Sequence, residues 1–353
     1  MSTSIRSPIA ASASPSHDEW ASRWKRSRLR GCLASTMARS LTNMLTNHLR
    51  QVETPTLSIG YAELGPVDGP AVLLLHGWPY DIHSFADAAP MLADMGFRVI
   101  VPYQRGFGTT RFRDDAAPRN AQPAALALDV VALMDALDIE VATLAGADWG
   151  ARAACCVAAL WPARCTALVA VSGYLISSQA TGAAPLSPTA EHAWWYQYYF
   201  ATERGRLGYA RYRNDFARHI WQTASPRWAF DEATFARTAT AFDNPDHVEI
   251  VIHNYRWRLD LAASDPGLDD LEAKLAQLPP ITVPTISLEG DANGAPHPDP
   301  STYAHKFIGG HAHRTISGGI GHNLPQESPR AFVAAVDDAL VRQKRRPARG
   351  VKL

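Results

Sequence analysis

The run Val141-Ala-Thr-Leu-Ala-Gly-Ala-Asp-Trp-Gly150 and the alanine-rich segment that follows it to Leu160 constrain this chain more than any other stretch. The residues before Gly146 suit a buried strand, and Ala151 to Leu160 suit a packed helix. Between them, Gly146-Ala147-Asp148-Trp149-Gly150 reads G-x-D-x-G. Small residues on both sides of Asp148 permit a strained turn that lifts one side chain above a sheet, the geometry of a nucleophile elbow. A serine at its centre would cleave acyl groups. A carboxylate there is suited to attack a saturated carbon and form an alkyl ester. The competing reading makes Asp148 only the N-cap of a helix that begins near Trp149.

The rest of the chain supplies a frame for such a turn. Strands are predicted at Leu57 to Glu63, Ala71 to Leu75, Phe97 to Pro102, Val141 to Ala145, Ala167 to Val171, Ile281 to Glu289 and Arg314 to Ile316. Helical spacing runs from Ala124 to Leu137 and from Pro329 to Val341. Alternating strands and helices imply right-handed crossovers and a mostly parallel sheet flanked by helices. After Gly173 the texture changes. No buried strand is evident as far as Leu278, and aromatics gather: Trp194-Trp-Tyr-Gln-Tyr-Tyr-Phe200, Trp221, Trp228, Tyr255 and Trp257. This reads as a helical insertion.

The domain boundaries that follow are an N-terminal extension at 1–52, a core at 53–173 and 279–343, the insertion at 174–278, and a basic tail at 344–353. The extension is rich in Ser, Ala and Arg and lacks the apolar block of a secretory signal. It is expected to be a solvated, disordered arm, unless translation starts at Met37 or Met44. Lys and Arg (34) balance Asp and Glu (34), so nothing points to nucleic acid. No apolar run nears the roughly 18 residues that span a membrane. Of the four cysteines, none has metal-ligand spacing. A reduced cytoplasmic setting is the simplest expectation, with no metal or cofactor, a small-molecule substrate, and a homo-oligomer left open.

Three further elements fall where an elbow needs partners. His76-Gly-Trp-Pro79 ends a strand upstream, so the amides of Trp78 and Trp149 are the candidate oxyanion-hole donors. Asp291 follows a late strand in Leu288-Glu-Gly-Asp-Ala292. His322 sits in the glycine-rich Gly318-Gly-Ile-Gly-His-Asn323. Nucleophile, acid and histidine come in the order this layout requires. Glu289, within the strand, and Asp299, between two prolines, fit the role of acid less well.

These strings together resemble the α/β-hydrolase fold family, and within it the branch of epoxide hydrolases and haloalkane or haloacetate dehalogenases that uses an Asp nucleophile. The matching residues are His76-Gly-Trp-Pro79, Gly146 to Gly150, Gly290-Asp291 and Gly321-His-Asn323. The resemblance spans about Leu57 to Val341 and implies that the aromatic insertion is a helical cap over the site. It also implies two cap tyrosines that hold and protonate an epoxide oxygen. Tyr196-Gln-Tyr-Tyr-Phe200 looks like the first of the family's tyrosine segments, with Tyr198 or Tyr199 as alternative registers and Gln197 as a substrate contact. Asn254-Tyr255-Arg256 is similar to the second but lacks one spacer residue.

A dehalogenase needs two N–H donors around the departing halide, and Trp149 and Trp78 stand in those places. Haloacetate dehalogenases place an arginine four residues after the nucleophile. Arg152 does so here and could pair a carboxylate, although a helix-surface position is the simpler expectation for it. The reading that follows is epoxide hydrolysis. Asp148 attacks, Tyr196 and Tyr255 protonate, His322 oriented by Asp291 activates water, and Trp78 and Trp149 stabilise the oxyanion. The alternatives are a dehalogenase or another hydrolase on the same scaffold, or a ligand receptor without turnover.

Overall fold

A computed structural model describes residues 44–344. Its centre is a nine-stranded sheet. The strands are β1 (Leu49–Glu53), β2 (Leu57–Leu64), β3 (Ala71–Leu75), β4 (Arg98–Pro102), β5 (Arg111–Phe112), β6 (Ala142–Gly146), β7 (Cys165–Val171), β8 (Thr285–Gly290) and β9 (His311–Ile316). Their order is β1-β2-β4-β3-β6-β7-β8-β9, with β5 paired to β2. From β4 to β9 every neighbouring pair is parallel, while β1 and β4 flank β2 in antiparallel register. Parallel strands covered on both faces read as unbroken apolar runs. The sequence Ala71-Val-Leu-Leu-Leu75, buried from Val72 onwards, behaves accordingly.

The covering helices are α1 (Met44–Asn47), α2 (Ala88–Asp94), α3 (Pro123–Ala136) and α4 (Trp149–Leu160). Between β7 and β8 come α5 (Gln179–Gly182), α6 (Pro188–Ala193), α7 (Trp195–Ala201), α8 (Glu203–Ala224), α9 (Glu232–Ala239), α10 (His247–Arg258) and α11 (Asp269–Ala276). This stretch contains no strand, as its aromatic texture predicts. Late in the chain are α12 (Pro300–Tyr303), α13 (Leu324–Glu327) and α14 (Pro329–Lys344). None of the described helices is long and apolar enough to cross a membrane.

Two boundaries differ from expectation. The sheet begins at Leu49, so the end of the supposed disordered extension is an edge strand. Its pattern of two half-buried and three exposed residues offers little apolar signal, and pairing of Leu49–Glu53 with Ser58–Ala62 supplies what the side chains do not. The remainder of the expected arm, residues 1–43, and the tail from 345 lie outside the described residues. The strand expected from Ile281 starts only at Thr285; Ile281 makes a single bridge to Phe307.

Candidate active site

The elbow is built by close approach. A Cβ on Gly150 would lie 1.9 Å from the carbonyl oxygen of Leu75, so only glycine lets α4 start against the end of β3. Asp148 takes φ 52° and ψ −121°, a left-handed conformation that strains an L side chain. It is not a helix cap in the usual sense, since its side chain accepts no capping hydrogen bond from α4. Instead its Oδ1 accepts from the Trp78 amide at 2.9 Å. A side chain on Gly77 would collide with Asp148, its Cβ falling 2.4 Å from that of the aspartate. The His-Gly-Trp-Pro loop is therefore shaped around the carboxylate.

His322 faces the other oxygen. Its Nε2 lies 3.7 Å from Asp148 Oδ2, beyond hydrogen-bond length but within ion-pair range. Burial alone would raise the Asp148 pKa, yet His322, Arg152 and the Trp78 amide outweigh it and hold the carboxyl below its usual range. For His322, burial acts to lower the pKa. Asp148, Glu289 and Glu327 outweigh it and raise the imidazole above its ordinary value. The loop before it is pinned by Glu327, whose Oε2 accepts from the Gly321 amide at 2.6 Å. The His322 amide donates to Ser225 Oγ at 2.9 Å.

Asp291 does not meet His322. Its exposed carboxylate accepts from the amides of Gly318, Gly319 and Ile320 at 2.8 to 3.0 Å. Those three amides hold it below the usual carboxylate pKa against the small effect of burial. It shapes the glycine-rich loop and does not orient the histidine. The position beside His322 Nδ1 belongs to Asn293, whose Oδ1 lies 3.2 Å away. Neither Asn293 nor Glu327 figures in the sequence reading. A search for acids passes over an amide, and the signal that could have found Asn293 is its place in the turn leaving β8.

The aromatic insertion closes over this centre. Tyr196 and Tyr255 are buried, their rings 5.3 Å apart and 5.3 and 5.2 Å from Trp78. Burial raises both phenols above their ordinary pKa, and the charge of Asp148 adds to the rise, so each is a neutral donor at any physiological pH. The three-tyrosine register resolves by helix direction. Tyr198 points outward to Glu191 and Tyr199 stacks on Phe216, which leaves Tyr196 facing the core. Gln197 is buried beside it. Arg152, expected on a helix surface, is buried instead. Its Nε donates to the Leu175 carbonyl at 3.3 Å, and its charge acts on Asp148, Tyr196 and Tyr255.

The two tryptophans divide their tasks. The Trp149 indole N–H is buried with no hydrogen-bond partner, on the side of Tyr255, whose ring lies 6.0 Å away. The Trp78 indole is committed. It donates to Tyr209 Oη at 2.8 Å, and that hydroxyl lies 2.8 Å from His247 Nε2. His247 Nδ1 donates to the Gly106 carbonyl, and burial lowers this histidine to a pKa of about 3, so it is neutral with Nε2 as acceptor. Tyr209 therefore accepts from Trp78 and donates to His247. Among the described residues no cluster of His, Cys, Asp and Glu could hold a metal ion.

Known proteins align with this architecture. The chain is similar to a solved structure of a candidate epoxide hydrolase from Klebsiella pneumoniae subsp. pneumoniae MGH 78578, at 58% identity and a TM-score of 0.84, over 85% of this chain and 99% of that one. It is 36% identical over 151 residues to epoxide hydrolase B of Mycobacterium tuberculosis, covering 39% of this chain and 41% of that protein. It is 33% identical over 146 residues to a haloalkane dehalogenase of Mycobacterium marinum, covering 40% of this chain and 46% of that protein. The chain thus spans less than half the length of these curated relatives. A family model described as alpha/beta hydrolase fold matches residues 70–258, more than half of the chain. Together with the parallel sheet and the elbow between β6 and α4, this match shows that the chain belongs to the alpha/beta hydrolase fold family.

Proposed function

We propose that the protein is a hydrolase that opens an epoxide to a vicinal diol through an alkyl ester on Asp148. The observation that supports this most is the pair of buried phenols, Tyr196 and Tyr255, packed against Trp78 over the elbow. Asp148 Oδ1 is held by the Trp78 amide, so Oδ2 is the attacking atom. It displaces one C–O bond of the epoxide, and the oxygen released takes a proton from a phenol. A strained ether leaves as an alkoxide, and a neutral phenol can meet that charge at neutral pH. His322 then takes a proton from water, and the hydroxide adds to Cγ of Asp148. The Trp78 and Trp149 amides stabilise the resulting oxyanion. Collapse expels the diol, and the proton on His322 returns to the phenolate.

The insertion, residues 174–278, serves in this reading as a cap that keeps water from the first step. A haloalkane as substrate is disfavoured because the Trp78 indole N–H, one of two expected halide donors, is already bound to Tyr209. A haloacid remains the second reading, supported by buried Arg152, whose charge could meet a carboxylate. Incubating the protein with a panel of epoxides and haloacids separates the two. Diol without halide is the expected result, and halide release with every epoxide intact would reverse the order.

A further inference from the structure

We propose that the role of the missing triad acid is divided between two residues, Asn293, which fixes the His322 ring, and Glu289, which stands behind it and supplies the charge. This inference rests on His322 serving as the general base. The geometry is a continuous chain. His322 Nδ1 faces Asn293 Oδ1 at 3.2 Å, and Asn293 Nδ2 donates to Glu289 Oε1 at 2.7 Å. The amide oxygen of Asn293 also accepts from the Ala295 amide at 2.9 Å, which sets which end of the side chain turns to the histidine. An amide whose nitrogen is occupied by a carboxylate can only present its oxygen to His322, so the ring must offer Nδ1–H and keep Nε2 free to accept a proton from water.

Glu289 suits this part better than Asp291. It is buried at the C-terminal end of β8, whereas Asp291 is exposed and bound to three amides. The charged groups facing His322 are Asp148 from the elbow, Glu289 from β8 and Glu327 from α13, with the Tyr80 ring packed on it from the loop after β3. Only Glu289 reaches Nδ1 through a hydrogen-bonded side chain. Asn293 and Glu289 line a cleft of about 450 Å³ together with Asp291, His297, Asp299 and His313. With such an opening nearby, the effect of the Glu289 charge across roughly 7 Å is that of an effective dielectric near 20.

Glu289→Gln isolates the charge. Both hydrogen bonds to the side chain, from the Gly290 amide and from Asn293, end on Oε1, which glutamine retains. Histidine-labelled protein is titrated by NMR, with the His322 resonance identified by its loss in His322→Gln. In parallel, the pH profile of ester hydrolysis is followed by intact mass with styrene oxide as probe. Glu289→Gln should lower the titration midpoint of His322 and the acid limb of the profile by roughly one pH unit. Asn293→Ala should lower both as well. The double variant Glu289→Gln/Asn293→Asp, which moves the carboxylate next to the ring, should restore the midpoint, and Asp291→Asn should leave it in place. An unmoved midpoint in Glu289→Gln, or a larger drop in Asp291→Asn, overturns the assignment. Should wild-type protein leave styrene oxide and every other epoxide untouched while the midpoints move as stated, epoxide hydrolysis fails and the divided acid stands.

Discussion

Replacing the two phenols tests the reaction most directly. Tyr196→Phe and Tyr255→Phe each remove one hydroxyl from a ring that stays wedged against Trp78, at 5.3 and 5.2 Å. Packing is preserved, so thermal stability should change by less than about 1 kcal/mol. Alkylation should suffer far more. Loss of one preorganised donor to a developing oxyanion costs about 10²- to 10³-fold, or about 2.7–4 kcal/mol. With one phenol gone the other still meets the alkoxide, so each single variant should lose about 10²-fold. With both gone the charge develops beside a buried Asp148 carboxylate and no neutral proton donor. The double loss should exceed either single one by another order of magnitude or more, though not as a simple product, because rings 5.3 Å apart share the same oxygen. The assay is single-turnover alkylation in a His322→Gln background, where ester accumulates and its rate of appearance by intact mass is the chemical step itself. A double variant that forms ester as fast as the single ones would refute the proton-donor role. Halide release from a haloacid needs no protonated leaving group, so any such activity should survive the double change.

Three more outcomes are expected. Asp148→Ala should abolish turnover with a folded thermal transition, since it removes the attacking atom and touches only the strained turn; near-normal product formation would exclude the carboxylate nucleophile. His322→Gln should trap the ester, visible as a mass gain of one substrate; continued turnover would contradict the two-step scheme. Glu272 caps the start of α3 through the Ala124 amide, and burial pushes its carboxyl up to about 7. The folded state then binds a proton that the unfolded chain has already released, so stability falls as pH rises from about 4.5 to 7 and stays reduced above it. Glu272→Gln keeps the acceptor without the charge. It should therefore melt higher than wild type at pH 8, by a margin corresponding to about 1–3 kcal/mol, and alike at pH 4; equal melting at both pH values would rule this out.

The elbow was legible because its demands are local. Gly146, Asp148 and Gly150 are set by one turn, and the contact of Gly150 with Leu75 leaves no other residue possible. His322 was legible for the same reason, as a histidine in a glycine-rich loop after the last strand. The acid was not. Asp291 satisfies every sequence criterion, but three amides of the same loop compete for its carboxylate and win, and no spacing reveals which way that loop folds. Arg152 was misplaced by composition. Arginine is exposed on most helices, yet the first turn of α4 is covered by the insertion. The register of Tyr196 against Tyr198 and Tyr199 became readable only with α7 in place, since successive residues on a helix point about 100° apart.

The hydrogen bonds between the insertion and the loop after β3 bear on how such proteins can be rebuilt. Trp78 is tied to Tyr209, the Pro79 carbonyl to the Trp221 indole, and Asp81 to Thr238. Each joins one buried polar group on the sheet side to one on the helical side, and either partner alone would be left unsatisfied. The insertion is therefore no detachable module. A chimaera that receives another protein's helices while keeping its own residues 76–85 would lose three fitted pairs at once, two of them on residues adjoining the amide that holds Asp148. Recombination, whether in the laboratory or over generations, has to move the loop and the helices as a single inheritance.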